Sequence, residues 1–224
     1  MHTTTVVFDL DGTLIDTAPD LVAAANRSLA ELGLPPVSAA TIKPFVGYGA
    51  RRMIVEGLRA SSVELDDGEV DRLLEIYLEH YAENIAVESR PFPNVIGEIE
   101  AMRKAGARIA ICTNKREDMS RRLITALGLD RHFDAIVGRD TLPVCKPHPD
   151  HLLETIARAG GDRNRAIMIG DTETDIATAR AAKVPVIAVT FGYSPVAVGS
   201  YAPDVTLDNY SGLSRLAAEL LGVS

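Results

Sequence analysis

The sequence predicts an α/β fold: an open, doubly wound parallel sheet with a small α-helical block inserted after the first strand. Three observations carry that expectation. Residues 5–8 read Thr-Val-Val-Phe, a β-branched apolar run that stops abruptly at Asp9 and Asp11, as a parallel strand buried on both faces would. From Thr17 to about Ala86 the apolar spacing is helical and no convincing strand occurs. Beyond residue 87, short apolar runs alternate with helical stretches ended by glycine, the pattern of parallel strands joined by crossover helices.

Taken in order, Thr17-Ala18-Pro19-Asp20 has the form of a capping box with proline in the first helical turn. Leu21, Ala24, Ala25 and Leu29 continue that helix until Gly33 and Pro35-Pro36 end it. A short helix is expected between Ser38 and Pro44, and the glycine-containing loop from Phe45 to Ala50 leads into a third, through about Ala60. Residues 66–86 carry the clearest helical period, with Val70, Leu73, Leu74, Tyr77 and Tyr81 on one face. Pro91-Phe92-Pro93 punctuates the block, and Asn94 is the expected cap of a helix running to Gly106. Strands are then expected at 108–113, 133–137, 166–170, 186–189 and 205–207, with helices at 117–127, 150–159, 174–182 and from Ser211. The expected division is a core of residues 1–16 and 87–224 and an inserted helical block of residues 17–86.

Composition narrows the function classes. With 224 residues and 46% hydrophobic content the chain can bury a sizeable core. The 31 acidic residues outnumber the 23 basic ones, a net charge of −8 with no basic run, which disfavours nucleic acid and anionic lipid as partners and favours a small soluble substrate. Cys112 and Cys145 stand far apart without metal-ligand spacing, so neither a disulfide framework nor a zinc cluster is expected. The N-terminus enters its first strand without a signal segment and no run reaches membrane-spanning length, so the expected location is the cytoplasm.

Chemistry gathers at the carboxyl ends of the strands, where open α/β sheets bind ligands. Asp9 and Asp11 would repel unless a cation neutralises one or one holds a proton. An oxygen-rich site suits magnesium, and a carboxylate beside it can attack phosphorus. Gly12 allows a sharp turn that can aim backbone N–H groups at phosphate oxygens. Thr113 and Asn114 end the second core strand as neutral donors. Lys146 lies between Cys145 and Pro147, held by proline's restriction of its neighbour, and can neutralise a phosphoryl group. Gly170-Asp171 repeats the opening logic, so Asp171 can complete a magnesium site with Asp9 and Asp11. Asp175, one helical turn later, can orient that site or Lys146; Glu173 has the weaker claim. His148 and His151 lack a third imidazole and are expected as surface or capping residues. Gly47-Tyr48-Gly49 fails the dinucleotide fingerprint, because Arg52 takes the third glycine's place and no strand precedes it. Neither a Walker lysine motif nor a Gly-x-Ser-x-Gly elbow occurs.

The ordered set Asp9-Leu10-Asp11-Gly12-Thr13, Thr113-Asn114, Lys146-Pro147 and Gly170-Asp171 with Asp175 resembles the four motifs of the haloacid dehalogenase superfamily of phosphatases. The likeness spans the chain. It implies a Rossmann-like core, a helical cap and Mg²⁺, with Asp9 as nucleophile and Asp11 as general acid and base. Thr113 and Lys146 would hold phosphate, and Asp171 would ligate magnesium with Asp9 and the Asp11 backbone carbonyl. Asp175 would support them. Asp11 argues against dehalogenation, since the dehalogenases lack that second aspartate, and Thr13 leans weakly away from the related mutases. The loop from Phe45 to Arg52 and the run through Asn114-Lys115 look most like the phosphoglycolate phosphatases of this superfamily. The implied reaction is hydrolysis of a small phosphomonoester through an aspartyl phosphate, 2-phosphoglycolate first. A sugar-phosphate mutase or a phosphatase for another ester is the alternative, and a non-catalytic phospho-acceptor comes last. Gly47, Tyr48, Arg51 and Arg52 are the candidates for leaving-group recognition, the arginines because a second anion needs a cation.

Overall fold

A computed structural model describes residues 4–222; residues 1–3 and 223–224, assigned to the core from sequence, lie outside the described residues. β1 (Thr5–Phe8) is fully buried, as its apolar run requires. The chain then forms a two-residue strand β2 (Ile15–Asp16) that pairs antiparallel with β3 (Arg90–Pro91), a short stem on which the intervening helices stand. This stem was not legible in sequence, because two residues are too few to show a period. The remaining strands are β4 (Arg108–Cys112), β5 (Ala135–Val137), β6 (Ala166–Gly170), β7 (Val186–Val189) and β8 (Val205–Leu207), and the six-stranded sheet runs β5-β4-β1-β6-β7-β8. All its pairings are parallel. From β1 the chain first builds toward β4 and β5, then returns to build β6 to β8 on the other side. The crevice beside β1 is therefore the switch point where such sheets hold their ligands.

Strand residues alternate between two faces. Val6, Phe8, Ile109, Ile111, Ile167 and Ile169 pack on one side against α5 (Val95–Lys104), α6 (Glu117–Ala126) and the terminal α9 (Leu213–Leu220). Val7, Ala110, Cys112, Met168 and Ala188 face α7 (Pro149–Arg158) and α8 (Glu173–Ala182). Helices cover both faces, as the sequence predicts.

Between β2 and β3 lie α1 (Ala18–Ala30), α2 (Ala39–Ile42), a 3₁₀ turn over Lys43–Tyr48, α3 (Ala50–Ala60) and α4 (Asp67–Glu83). They share an apolar core that also takes in Met119 and Tyr193 from the sheet domain. α4 begins in a true capping box, with Asp66 and Glu69 each accepting from the other's N–H. It ends at Glu83 rather than Ala86, where the Asn84 side chain donates to the His80 carbonyl at 2.9 Å.

Two expected caps are corrected. Thr17 and Asp20 form no capping box: the Thr17 hydroxyl donates to Asp11, while Asp20 accepts from the Ser89 hydroxyl at 2.7 Å and from the Glu88 and Ser89 amides. Asp20 thereby ties the end of the helical block to its beginning. The start of α1 is capped instead by the Tyr193 hydroxyl, which accepts from Thr17 N–H at 2.7 Å and Ala18 N–H at 2.9 Å. Asn94 adopts a left-handed conformation and its amide donates to Ser211, so it does not cap α5. No helix among the described residues is long and apolar enough to cross a membrane.

Candidate active site

Asp9 directly follows β1 and its N–H donates to the Ile169 carbonyl, which fixes it at the crevice. Gly12 takes φ +84°, and a Cβ there would stand 2.7 Å from Asp171 Oδ2 and 2.8 Å from the Tyr193 ring. Only glycine lets the loop pass this close. The Gly12 N–H, however, donates to the Ile15 carbonyl at 3.0 Å, so its part is to shape the turn rather than to offer the phosphate donor expected from sequence.

The Lys146 ammonium lies 2.7 Å from Asp9 Oδ1 and 2.6 Å from Asp175 Oδ1, with all three side chains buried. Asp175 Oδ2 accepts from the Thr172 hydroxyl at 2.7 Å and from the amides of Asp171 and Thr172. With both oxygens so engaged, Asp175 is a brace for Lys146 and for the turn after β6. Asp171 is held differently. Thr13 donates to its Oδ1 and the Tyr193 N–H to its Oδ2, each at 2.7 Å, and each oxygen keeps a lone pair.

Asp9, Asp171 and Asp175 bring ligand oxygens within 4.8 Å of one another, with one lysine among them. Burial, the largest cause, pushes Asp9 up to about 7, with Lys146 opposing and Asp175 adding. Burial followed by Asp175 and Asp9 raises Asp171 to about 8. Burial alone would lower Lys146, but Asp175 and Asp9 more than offset it, so the ammonium stays charged. The cluster is short of positive charge. A hard cation with oxygen ligands fits that shortage, and Asp9 and Asp171 offer it lone pairs, while Asp175 has one oxygen filled by three donors and the other turned to Lys146.

Thr113 is buried and its hydroxyl accepts from the Lys115 N–H, while Asn114 donates to the Lys146 carbonyl at 3.1 Å. The Lys115 ammonium reaches Asp11, 3.0 Å from Oδ1 and 3.3 Å from Oδ2, and lies 4.4 Å from the Tyr81 ring centroid. These groups open on a cavity of about 380 Å³ between sheet and helical block, whose upper wall includes Leu21, Val46, Met53, Leu74, Tyr77 and Tyr81.

The cap candidates divide. Gly47 and Arg51 line the cavity, whereas Tyr48 and Arg52 are not part of its wall. Tyr48 is 58% exposed, and Arg52 pairs with Glu56 while stacking on Phe45. Arg51 is itself engaged by Asp67 and Asp71 on α4. Glu173 starts α8 and is also absent from the wall. His148 caps α7, accepting from the Asp150 N–H. His151 departs from expectation: it is fully buried, 3.0 Å from the Gly138 carbonyl and 3.4 Å from Cys112 Sγ.

Four residues given no such role from sequence belong to this geometry: Thr13, Thr17, Lys115 and Tyr193. Their signals were present. Lys115 continues the polar run at the end of β4, and Tyr193 follows Gly192 just beyond β7, a strand end like the others.

The fold and these strand-end acids define a class, and residues 6–189 match the family model of haloacid dehalogenase-like hydrolases; the chain belongs to that family. Within it, the chain is 51% identical over 216 residues to a phosphoglycolate phosphatase of Mesorhizobium japonicum, covering 96% of this chain and 95% of the relative. It is 44% identical to one of Agrobacterium fabrum, with 96% and 92% covered. A crystal structure from Haemophilus somnus, described as a predicted phosphoglycolate phosphatase, superposes with a TM-score of 0.89 at 28% identity over 96% of this chain and 98% of that one.

Proposed function

We propose that this hydrolase is a Mg²⁺-dependent phosphomonoester phosphatase whose preferred substrate is 2-phosphoglycolate. The observation that carries the reading is the pair Asp9 and Asp11 at the end of β1, with Lys146 2.7 Å from Asp9 and Lys115 3.0 Å from Asp11. The names of the relatives support the choice of substrate.

Asp9 is the nucleophile. Its carboxylate attacks phosphorus, the bond to the leaving alcohol breaks, and Asp11 gives that oxygen a proton. Water then attacks the aspartyl phosphate while Asp11 takes the proton back, releasing phosphate and restoring Asp9. Lys146, braced by Asp175, and the Thr113 hydroxyl face the phosphoryl group, and Asn114 positions Lys146 through its carbonyl. Asp9 and Asp171, with the Asp11 backbone carbonyl, would hold Mg²⁺, which supplies positive charge to the phosphate oxygens. The apolar upper wall excludes water from the reacting centre.

The test is phosphate release from a panel of small esters, with and without chelator. The expected result is a kcat/KM for 2-phosphoglycolate at least about tenfold above that for ethyl phosphate or a sugar phosphate. Activity should vanish with EDTA and return with Mg²⁺. Isomerised sugar phosphate with little free phosphate would make the protein a mutase instead.

A further inference from the structure

Among the described residues, four basic side chains besides Lys115 line the cavity, and each has a place that leaves it poorly suited to read a second anion. Lys146 already answers two carboxylates, Arg51 answers Asp67 and Asp71, and Arg116 faces Asp118 and Asp140. Arg139 is exposed. Lys115 differs from all of them. Its side chain is 8% exposed, and its one carboxylate partner among the described residues is Asp11, the residue given the leaving-group proton under the function proposed above.

A proton donor must come within about 2.6–3.2 Å of the leaving oxygen. The Lys115 ammonium lies 3.0 Å from Asp11 Oδ1 and rests on Tyr81, which belongs to the helical block. An anionic group one carbon from the leaving oxygen therefore falls within reach of this ammonium, at the junction of core and cap. We propose that Lys115 is the specificity-determining residue, which exchanges its ion pair with Asp11 for one with a carboxylate one carbon from the ester oxygen. The exchange binds the second charge of the substrate in a buried setting, where a charge-assisted contact is strong. A neutral ester gains no such contact, so the preference for the acid is built into the core and not into the loop from Phe45 to Arg52.

This inference rests on the proposed phosphatase reading, and one experiment separates the two. The measurement is kcat/KM for 2-phosphoglycolate and for ethyl phosphate, which keeps the ester and lacks the carboxylate, in the wild type and in Lys115→Met, Lys115→Gln, Lys115→Arg and Arg139→Ala. The kcat/KM for 2-phosphoglycolate falls when Lys115 loses its charge while that for ethyl phosphate changes much less, so the ratio between the esters falls by about tenfold to a hundredfold, the range for one charge-assisted contact. Lys115→Arg keeps part of the ratio. A wild type with no preference for 2-phosphoglycolate overturns the substrate reading and this inference with it. A wild-type preference that survives in a folded Lys115→Met or Lys115→Gln, or that is lost in Arg139→Ala instead, overturns the assignment of Lys115 alone. Thermal unfolding of each variant identifies a folding defect, and because Met and Gln differ in polarity, one folded variant suffices to decide.

Discussion

The floor and the upper wall of the cavity are built on opposite principles. On the floor, Asp9 and Lys146 line the cavity with Asp171 and Asp175 beside them, and all four are buried and held by at least one partner from another strand end. On the wall, the helices present mostly aliphatic and aromatic side chains, and their nearest arginine, Arg51, is spent on acids of α4. Charge is concentrated where the proposed reaction would change bonds, and apolar surface where that reaction would need water kept out. The difference teaches that selectivity for a second anion need not come from the cap at all.

The largest effects should follow changes to the floor. Asp9→Asn should lower phosphate release by at least about a thousandfold, since an amide cannot supply the attacking carboxylate. Its thermal midpoint should not fall, because the change relieves a crowded acidic cluster. Residual activity within tenfold of wild type would remove Asp9 from that role. Lys146→Met should cost about 3–5 kcal/mol of unfolding free energy at pH 8, since it strands two buried carboxylates. The cost measured by urea unfolding should shrink at pH 5, where the Asp9 carboxyl can take up a proton.

Metal linkage tests whether the floor is short of positive charge. Asp9 and Asp171 are both raised from 3.8, to about 7 and about 8. A carboxyl raised on folding binds more protons in the folded state between its two values. Its contribution to stability is therefore full below about pH 4 and is lost as the pH rises toward 8. Mg²⁺ should replace that loss and raise the melting temperature more at pH 8 than at pH 6. The difference should be about 2–4 °C if it amounts to roughly 1 kcal/mol. An equal or larger gain at pH 6 would mean that these two carboxyls do not meet the ion.

The smallest effect should come from the wall. Arg51→Ala should change kcat/KM for 2-phosphoglycolate by less than about threefold, because its guanidinium is already shared between Asp67 and Asp71. A tenfold loss specific to this ester would return the second anion to the cap.

The same contrast explains what the sequence could tell. Strand ends advertise themselves: an apolar run that breaks into Asp9 and Asp11, or into Gly170-Asp171, locates both the sheet and its crevice. Partnerships across the fold leave no such trace. Nothing local says that Thr17 would spend its hydroxyl on Asp11 instead of capping its own helix, or that Tyr193 would cap α1 from the far side of the sheet. Arg51 and Arg52 looked free because the acids that engage them, on α4 and on α3 itself, are ordinary surface residues in sequence. His151 looked superficial because its neighbours Gly138 and Cys112 arrive from two other segments.

The central claim is that Asp9 carries the phosphoryl group, and it can be tested directly. Wild-type protein mixed with radiolabelled 2-phosphoglycolate and Mg²⁺, quenched in acid within one turnover, should retain label on the peptide that contains Asp9. Borohydride should reduce that acyl phosphate and leave homoserine at position 9. Label on any other residue, or phosphate released at full rate with no labelled protein at any quench time, would contradict the account.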